Sequence, residues 1–215
     1  MKAATRTVYG GPKVLRINEV AKPTPAANEL LVKVHAATIN RTDCGILWGK
    51  PAIMRFFTGL TKPKLPTTGT DFAGEVEALG AAVTDFKVGD RIFGFNDNGL
   101  CSHAEYLTIA ADQPITTVPE GISYEQAAAS AEAAHYAYNF INKVNIKTGD
   151  NVMLNGGTGA IGSAALQMLK AMDVTVTATC RTQHVDLVKE MGADRVIDYL
   201  QEDFTQDDAQ YDFVF

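Results

Sequence analysis

The octet NGGTGAIG, Asn155 to Gly162, puts four glycines between the apolar run DNVML (150–154) and a segment of helical spacing at 163–172. So much backbone freedom leaves the chain few structures to adopt there. Gly157-Thr158-Gly159-Ala160-Ile161-Gly162 fits G-x-G-x-x-G and sits after a strand-like run and before a helix-like one, where a dinucleotide fingerprint must lie. Glycine in that place permits a tight turn, lets backbone N–H groups approach a pyrophosphate and lets the helix pack close to its sheet. The helix N-terminus adds partial positive charge. A merely structural turn would need one or two glycines. Gly156, Gly157, Thr158, Gly159, Ala160, Ile161 and Gly162 are therefore the candidate cofactor cradle. A branched side chain at Gly159 is expected to obstruct it and to bar a positive φ.

The segments after the loop agree with this reading. VTVTATC (174–180) reads as a strand, 183–191 as a helix and RVIDY (195–199) as a strand, an alternation that predicts a parallel sheet with crossover helices. The acid that would bind a ribose 2′-hydroxyl should end the second strand, about 20 residues on. The strand ends instead in Thr179-Cys180-Arg181-Thr182. A cation and hydroxyls where NAD wants a carboxylate favour NADP(H), with Arg181 pairing the 2′-phosphate. Thr182 and Tyr199, at the ends of the second and third strands, complete the cofactor candidates. The competing reading of Arg181 is a solvated surface arginine.

The first 120 residues are β-rich. ELLVKVHAATIN (29–40) alternates, with Val32, Val34, Ala36, Thr38 and Asn40 on one face and Lys33 and His35 on the other. TDFAGEVEALG and DRIFGF read as further strands, with Val88-Gly89-Asp90 as a turn. KPAIMRFFTGLTKPKLP (50–66) has no clean period and reads as a long loop. Ser123 followed by Gln126 is a capping box opening a helix. The expected division is a first domain over 1–120 and a second over 121–215. Three dispersed cysteines (Cys44, Cys101, Cys180) form neither a disulfide framework nor a zinc cluster, and a net charge of −6 argues against nucleic-acid binding. With neither a secretory signal nor an apolar run long enough to span a bilayer, a cytoplasmic protein without a membrane partner is expected.

MKAATRTVYGGPKVLRINEVAKPTP, ELLVKVHAATINRTDC, LPTTGTDFAGEVEALGAAVTDFKVGDRIFGF, the glycine octet and VKEMGADRVIDY together resemble the medium-chain dehydrogenase/reductases, above all their quinone oxidoreductase and zeta-crystallin branch. The resemblance covers essentially the whole chain. It implies an α/β protein with a β-barrel domain: an N-terminal GroES-like barrel on the substrate side and a Rossmann doubly wound parallel sheet for the nicotinamide. The sheet is incomplete, since Tyr211-Asp212-Phe213-Val214-Phe215 begins a strand and the chain stops. The missing part carries the homodimer surface in relatives. The positions matching the zinc branch's first Cys and its His hold Asn40 and Thr70, so a zinc-independent enzyme is expected, with no metal ligands assigned.

The implied reaction is hydride transfer from NADPH to a quinone or an α,β-unsaturated carbonyl. Asn40, Asp43 and Tyr136 are the candidate catalytic residues. Asn40 is either a donor to the carbonyl oxygen or an amide holding turn backbone. Asp43, in an N-x-x-D match, orients its neighbours, and Tyr136 stands where many relatives carry threonine, either as a hydroxyl donor to carboxamide or substrate or as a packing residue between the domains. Gly45 and Pro51 replace tyrosines that line the pocket in relatives, leaving Trp48, Phe56 and Phe57 as candidate walls. Two alternatives stay open: a non-catalytic nucleotide-binding or interaction protein, and a relative of the zinc alcohol dehydrogenases.

Overall fold

In a computed structural model describing residues 1–97 and 99–215, the chain starts as a ribbon. Its β1 (Lys2–Thr5) pairs antiparallel with β2 (Arg16–Glu19), Lys2 opposite Glu19. The described residues fall into two units, Met1–Ala131 and Glu132–Phe215. Among them no helix is long and apolar enough to cross a membrane.

In the first unit β3 (Glu29–Ala36) is followed by α1 (Arg41–Trp48) and α2 (Met54–Thr58), then β4 (Asp71–Leu79), β5 (Arg91–Phe95), β6 (Tyr106–Ala110) and β7 (Ile115–Thr117). These five strands form one antiparallel sheet in the order β6-β3-β4-β5-β7. Its core is Leu30, Val32, Phe72, Val76, Ile92 and Leu107. The alternation read along 29–40 holds from Lys33 to Ala36, but Leu30, Leu31 and Val32 are all buried, and the register with β4 shifts between Leu31 and Val32. An irregularity of this kind puts consecutive side chains out of strict alternation. The strand also stops at Ala36, so Thr38 and Asn40 lie beyond it. The segment expected as a loop over 50–66 contains α2; five residues are too few to show a helical period against flanking Pro and Gly.

α3 (Tyr124–Ile141) opens with the expected capping box: the Gln126 amide donates to Ser123 Oγ at 3.2 Å, and the Ser123 amide to Gln126 Oε1 at 3.0 Å. The division between the units falls within this helix. Its Ala127 and Ala128 are buried with Ala73 in the first unit, and its Ala137 and Ile141 belong to the core of the second.

The second unit alternates β8 (Asn151–Leu154), α4 (Ala160–Lys170), β9 (Thr175–Cys180), α5 (Val185–Glu190) and β10 (Arg195–Asp198), and ends with β11 (Phe213–Val214). A 3-10 turn over Thr182–His184 leads into α5, which is why that helix is shorter than the 183–191 expected. All four strands are parallel, in the order β10-β9-β8-β11. Val152, Leu154, Val176 and Ala178 from the strands pack with Leu166, Leu169 and Val188 from the helices. The chain runs outward from β8 to β9 and β10, then returns to the other side of β8 for β11. The carboxyl end of β8 is therefore a topological switch point, where open α/β sheets bind ligands.

Candidate functional site

The glycine loop occupies that switch point. The Gly157 amide donates to the Thr179 carbonyl at 2.9 Å and the Gly156 amide to Thr179 Oγ1 at 2.9 Å, while Thr179 Oγ1 donates to Asn155 Oδ1 at 2.7 Å. Thr179 is wholly buried on β9, so the loop is tied to the neighbouring strand at its first two glycines. The positive φ lies at Gly156 (+86°) and not at Gly159, whose backbone is extended (φ −67°, ψ 157°) as the N-cap of α4. That corrects the expectation of a conformational bar at Gly159: any residue can adopt those angles. Gly162 is needed for closeness, because a Cβ there would stand 2.2 Å from the Gly156 carbonyl oxygen. A Cβ on Gly159 would meet only that same oxygen, at an ordinary 3.5 Å.

Gly159 has no side chain with which to cap the helix, so the first-turn amides of Ala160 and Ile161 are uncapped among the described residues. Thr158, Gly159, Ala160 and Ile161 are exposed. Uncapped amides at a helix N-terminus, fronted by a residue with no side chain, fit an anionic diphosphate.

At the end of β9, Arg181 Nε donates to the Tyr199 hydroxyl at 3.0 Å, which joins two residues singled out from separate strand ends. Both are exposed, and the terminal amino groups of Arg181 have no acceptor among the described residues. Thr182 is exposed in the adjoining 3-10 turn. Thr179 does not add a hydroxyl to this surface, contrary to expectation, because its side chain is spent on Asn155 and Gly156.

In the first unit Asn40 is the N-cap of α1, which corrects its placement at a strand end. Its Oδ1 accepts from the Asp43 amide at 2.8 Å, and its own amide donates to Asp43 Oδ2 at 3.1 Å. Asn40 Nδ2 donates to Thr70 Oγ1 at 2.8 Å and to Asp71 Oδ2 at 3.2 Å. With both amide hydrogens engaged, the geometry favours the role of holding the turn. Asp71 also accepts from the backbone amide and hydroxyl of Thr38. His103 Nε2 donates to the Thr38 carbonyl at 2.7 Å and lies 3.8 Å from Asp43 Oδ2, while its Nδ1 pairs with Thr68 Oγ1 at 2.8 Å. A carbonyl only accepts, so in the neutral ring the proton is on Nε2 and Nδ1 accepts from Thr68.

Asp43 is buried, and its Oδ1 has no hydrogen-bond partner among the described residues. Burial pushes its carboxyl above the usual aspartate range; the Asn40 amide and His103 oppose this, and the charge of Asp71 adds to it. Sequence reading did not single out His103, which reaches Thr38 across 65 residues. Among the described residues no three His, Cys, Asp or Glu side chains are grouped so as to hold a metal ion. Tyr136 belongs to the second unit, on α3, edge-on to His135 and stacked on Phe140 with centroids 6.2 Å apart.

Comparison with known proteins agrees with these two halves. The alcohol dehydrogenase GroES-like domain family matches residues 26–137, and the zinc-binding dehydrogenase family matches 160–212. A quinone-oxidoreductase homolog of spinach chloroplasts is 35% identical over 198 residues, covering 88% of this chain and 58% of that protein. The chain thus spans less than two thirds of that relative's length. The quinone oxidoreductase of Coxiella burnetii superposes with a TM-score of 0.89 at 32% identity, over all of this chain and 67% of that one. The Escherichia coli quinone oxidoreductase, solved with NADPH, gives a TM-score of 0.80 at 28% identity over 94% of this chain and 60% of that one.

Proposed function

We propose, from the premise that this chain belongs to the medium-chain dehydrogenase/reductase superfamily on its quinone oxidoreductase side, that it serves an NADPH-dependent reductase of quinones or α,β-unsaturated carbonyls. The observation that carries the reading is the N-terminus of α4, where Gly159 leaves the first-turn amides uncapped beside the switch point of the sheet. Within the loop Gly156 to Gly162, the amides of Ala160 and Ile161 would meet the pyrophosphate while Gly156, Gly157 and Gly162 shape the turn, and Arg181, held by Tyr199 and beside Thr182, would meet the 2′-phosphate. The cofactor, when bound, supplies a hydride. Quinones and enones share the acceptor chemistry, an electron-poor carbon conjugated to a carbonyl.

The chain's own residues bind and orient. Residues 1–120 serve the substrate and 121–215 the cofactor. Asn40 and Asp43 fix the first turn of α1, and the Tyr136 hydroxyl would donate to the cofactor's carboxamide or to the substrate. No metal ligand is assigned, because Asn40 and Thr70 stand where the zinc branch has Cys and His.

The test is NADPH oxidation followed at 340 nm by the full-length gene product against a panel of quinones and enones. Turnover of at least one acceptor, faster with NADPH than with NADH, is expected. Cofactor binding with no turnover of any acceptor would replace this reading with a non-catalytic nucleotide-binding protein.

A further inference from the structure

Arg6, the residue after β1, is only 3% exposed. Its Nη1 donates to the carbonyl of Ile46 near the C-terminus of α1, a place that favours a cation, and its guanidinium carbon lies 5.3 Å from the ring centroid of Tyr9. These contacts leave most of its five donors unused. Among the described residues Nε is buried with no acceptor, and no Asp or Glu comes within ion-pair distance. Acids are not scarce in this chain, which has 25 Asp and Glu against 19 Lys and Arg. A desolvated charge with no counter-charge costs several kcal/mol, so an arginine retained in such a place implies something that compensates it.

Arg6 lines a cavity of about 270 Å³. Lys64 is on the same wall, and none of the described lining residues is acidic. Two of the three lining hydroxyls are already committed: Thr58 Oγ1 donates to the Met54 carbonyl, and Thr68 pairs with His103, which leaves that of Thr67. What remains for a ligand is positive charge, the Thr67 hydroxyl and the apolar surface of Ile46, Phe57 and Leu65. Asn40 and Asp43 do not line this cavity.

We infer that the cavity binds a small organic carboxylate with an apolar body, its charge met by Arg6 with Lys64 at the wall. The guanidinium fork matches the two oxygens of a carboxylate, the apolar walls accept a single ring or short chain, and the volume lies just below that of pockets for drug-sized ligands. Arg6 and its cavity stand independently of the reductase reading. The competing role for Arg6 is to anchor the end of α1 and nothing more.

Benzoate, its neutral isostere benzamide, and inorganic phosphate, titrated calorimetrically into the chain at low salt, separate the two. Benzoate is expected to saturate one site, with benzamide and phosphate each at least about tenfold weaker. Arg6→Met is expected to abolish benzoate binding. Because that change touches the core and can cost the fold, Lys64→Gln at an exposed position is the second variant, expected to weaken benzoate several-fold and flatten its salt dependence. Benzamide binding as well as benzoate, no saturable benzoate binding, benzoate binding unaffected by Lys64→Gln, or benzoate retained by folded Arg6→Met would each overturn the site. Phosphate binding tighter than benzoate would overturn the carboxylate assignment.

Discussion

Gly159 and Gly162 separate the two uses of glycine in the loop, and substituting each tests the cofactor assignment. At Gly162 a Cβ would stand 2.2 Å from the Gly156 carbonyl oxygen, so alanine must push the helix away from the loop. Overpacking of this kind costs about 1–3 kcal/mol, and replacing a helical glycine returns up to about 1 kcal/mol. The net is roughly 1–2 kcal/mol, a fall in Tm of about 2–8 °C for a chain of this size. Gly159→Val meets no such obstacle: the backbone is extended and the nearest atom is at 3.5 Å, so its cost is the poorer N-cap, under about 1 kcal/mol. Its branched side chain instead occupies the space in front of the Ala160 and Ile161 amides. Losing two charge-assisted hydrogen bonds, at about 1.5–3 kcal/mol each, weakens NADPH by at least roughly a hundredfold. Circular dichroism melts report the fold, and NADPH fluorescence titration reports affinity. A folded Gly159→Val protein that binds NADPH like the parent would reduce the loop to a structural turn, leaving the cofactor assignment to family membership.

Arg181→Ala is expected to weaken NADPH roughly tenfold while sparing NADH, since only the former offers a phosphate to the free amino groups; calorimetry with both cofactors decides, and equal affinities in the parent would remove the argument. Chelation is expected to leave NADPH oxidation by the full-length product intact, because Asn40 and Thr70 offer neither the thiolate nor the imidazole that holds a catalytic zinc; stoichiometric zinc, lost together with activity, would defeat this. The raised carboxyl of Asp43 makes a pH prediction. A folded-state pKa above the unfolded value contributes stability that is present below about 3.8 and is lost as pH rises through the folded value. The parent should therefore lose stability relative to Asp43→Asn as pH rises above about 3.8 in urea melts, with Asp71 and His103 as the neighbours that shape the curve. A difference independent of pH would show that Asp43 carries no burial penalty.

The cofactor half was legible because its signals are local. Strand, glycines and helix come one after another within about twenty residues, and Arg181 and Tyr199 were found as the ends of adjacent parallel strands. Asn40 was misplaced because alternation continues in the sequence after the strand has ended, while the same Asn-x-x-Asp also spells a capping box. A single sequence cannot choose between these, since the choice is made by Thr70 and Asp71 thirty residues away. His103 had no signal at all: its partners Thr38 and Thr68 are brought to it by strand pairing, not by spacing. The buried Leu30-Leu31-Val32 run was hidden in an alternating pattern that a register shift interrupts.

The tie between Thr179 and the loop divides four neighbouring amides by how they exchange with solvent. Those of Gly156 and Gly157 are bonded to β9, so their hydrogens exchange with deuterium only when the loop parts from the strand beside it. Those of Ala160 and Ile161, uncapped and exposed, exchange at close to open-chain rates until a ligand covers them. A ligand therefore meets a loop whose ordering was completed during folding, and it loses little affinity to arranging it. The slow pair reports the anchoring of the loop and the fast pair its occupancy, so one deuterium experiment reads both from residues less than six positions apart.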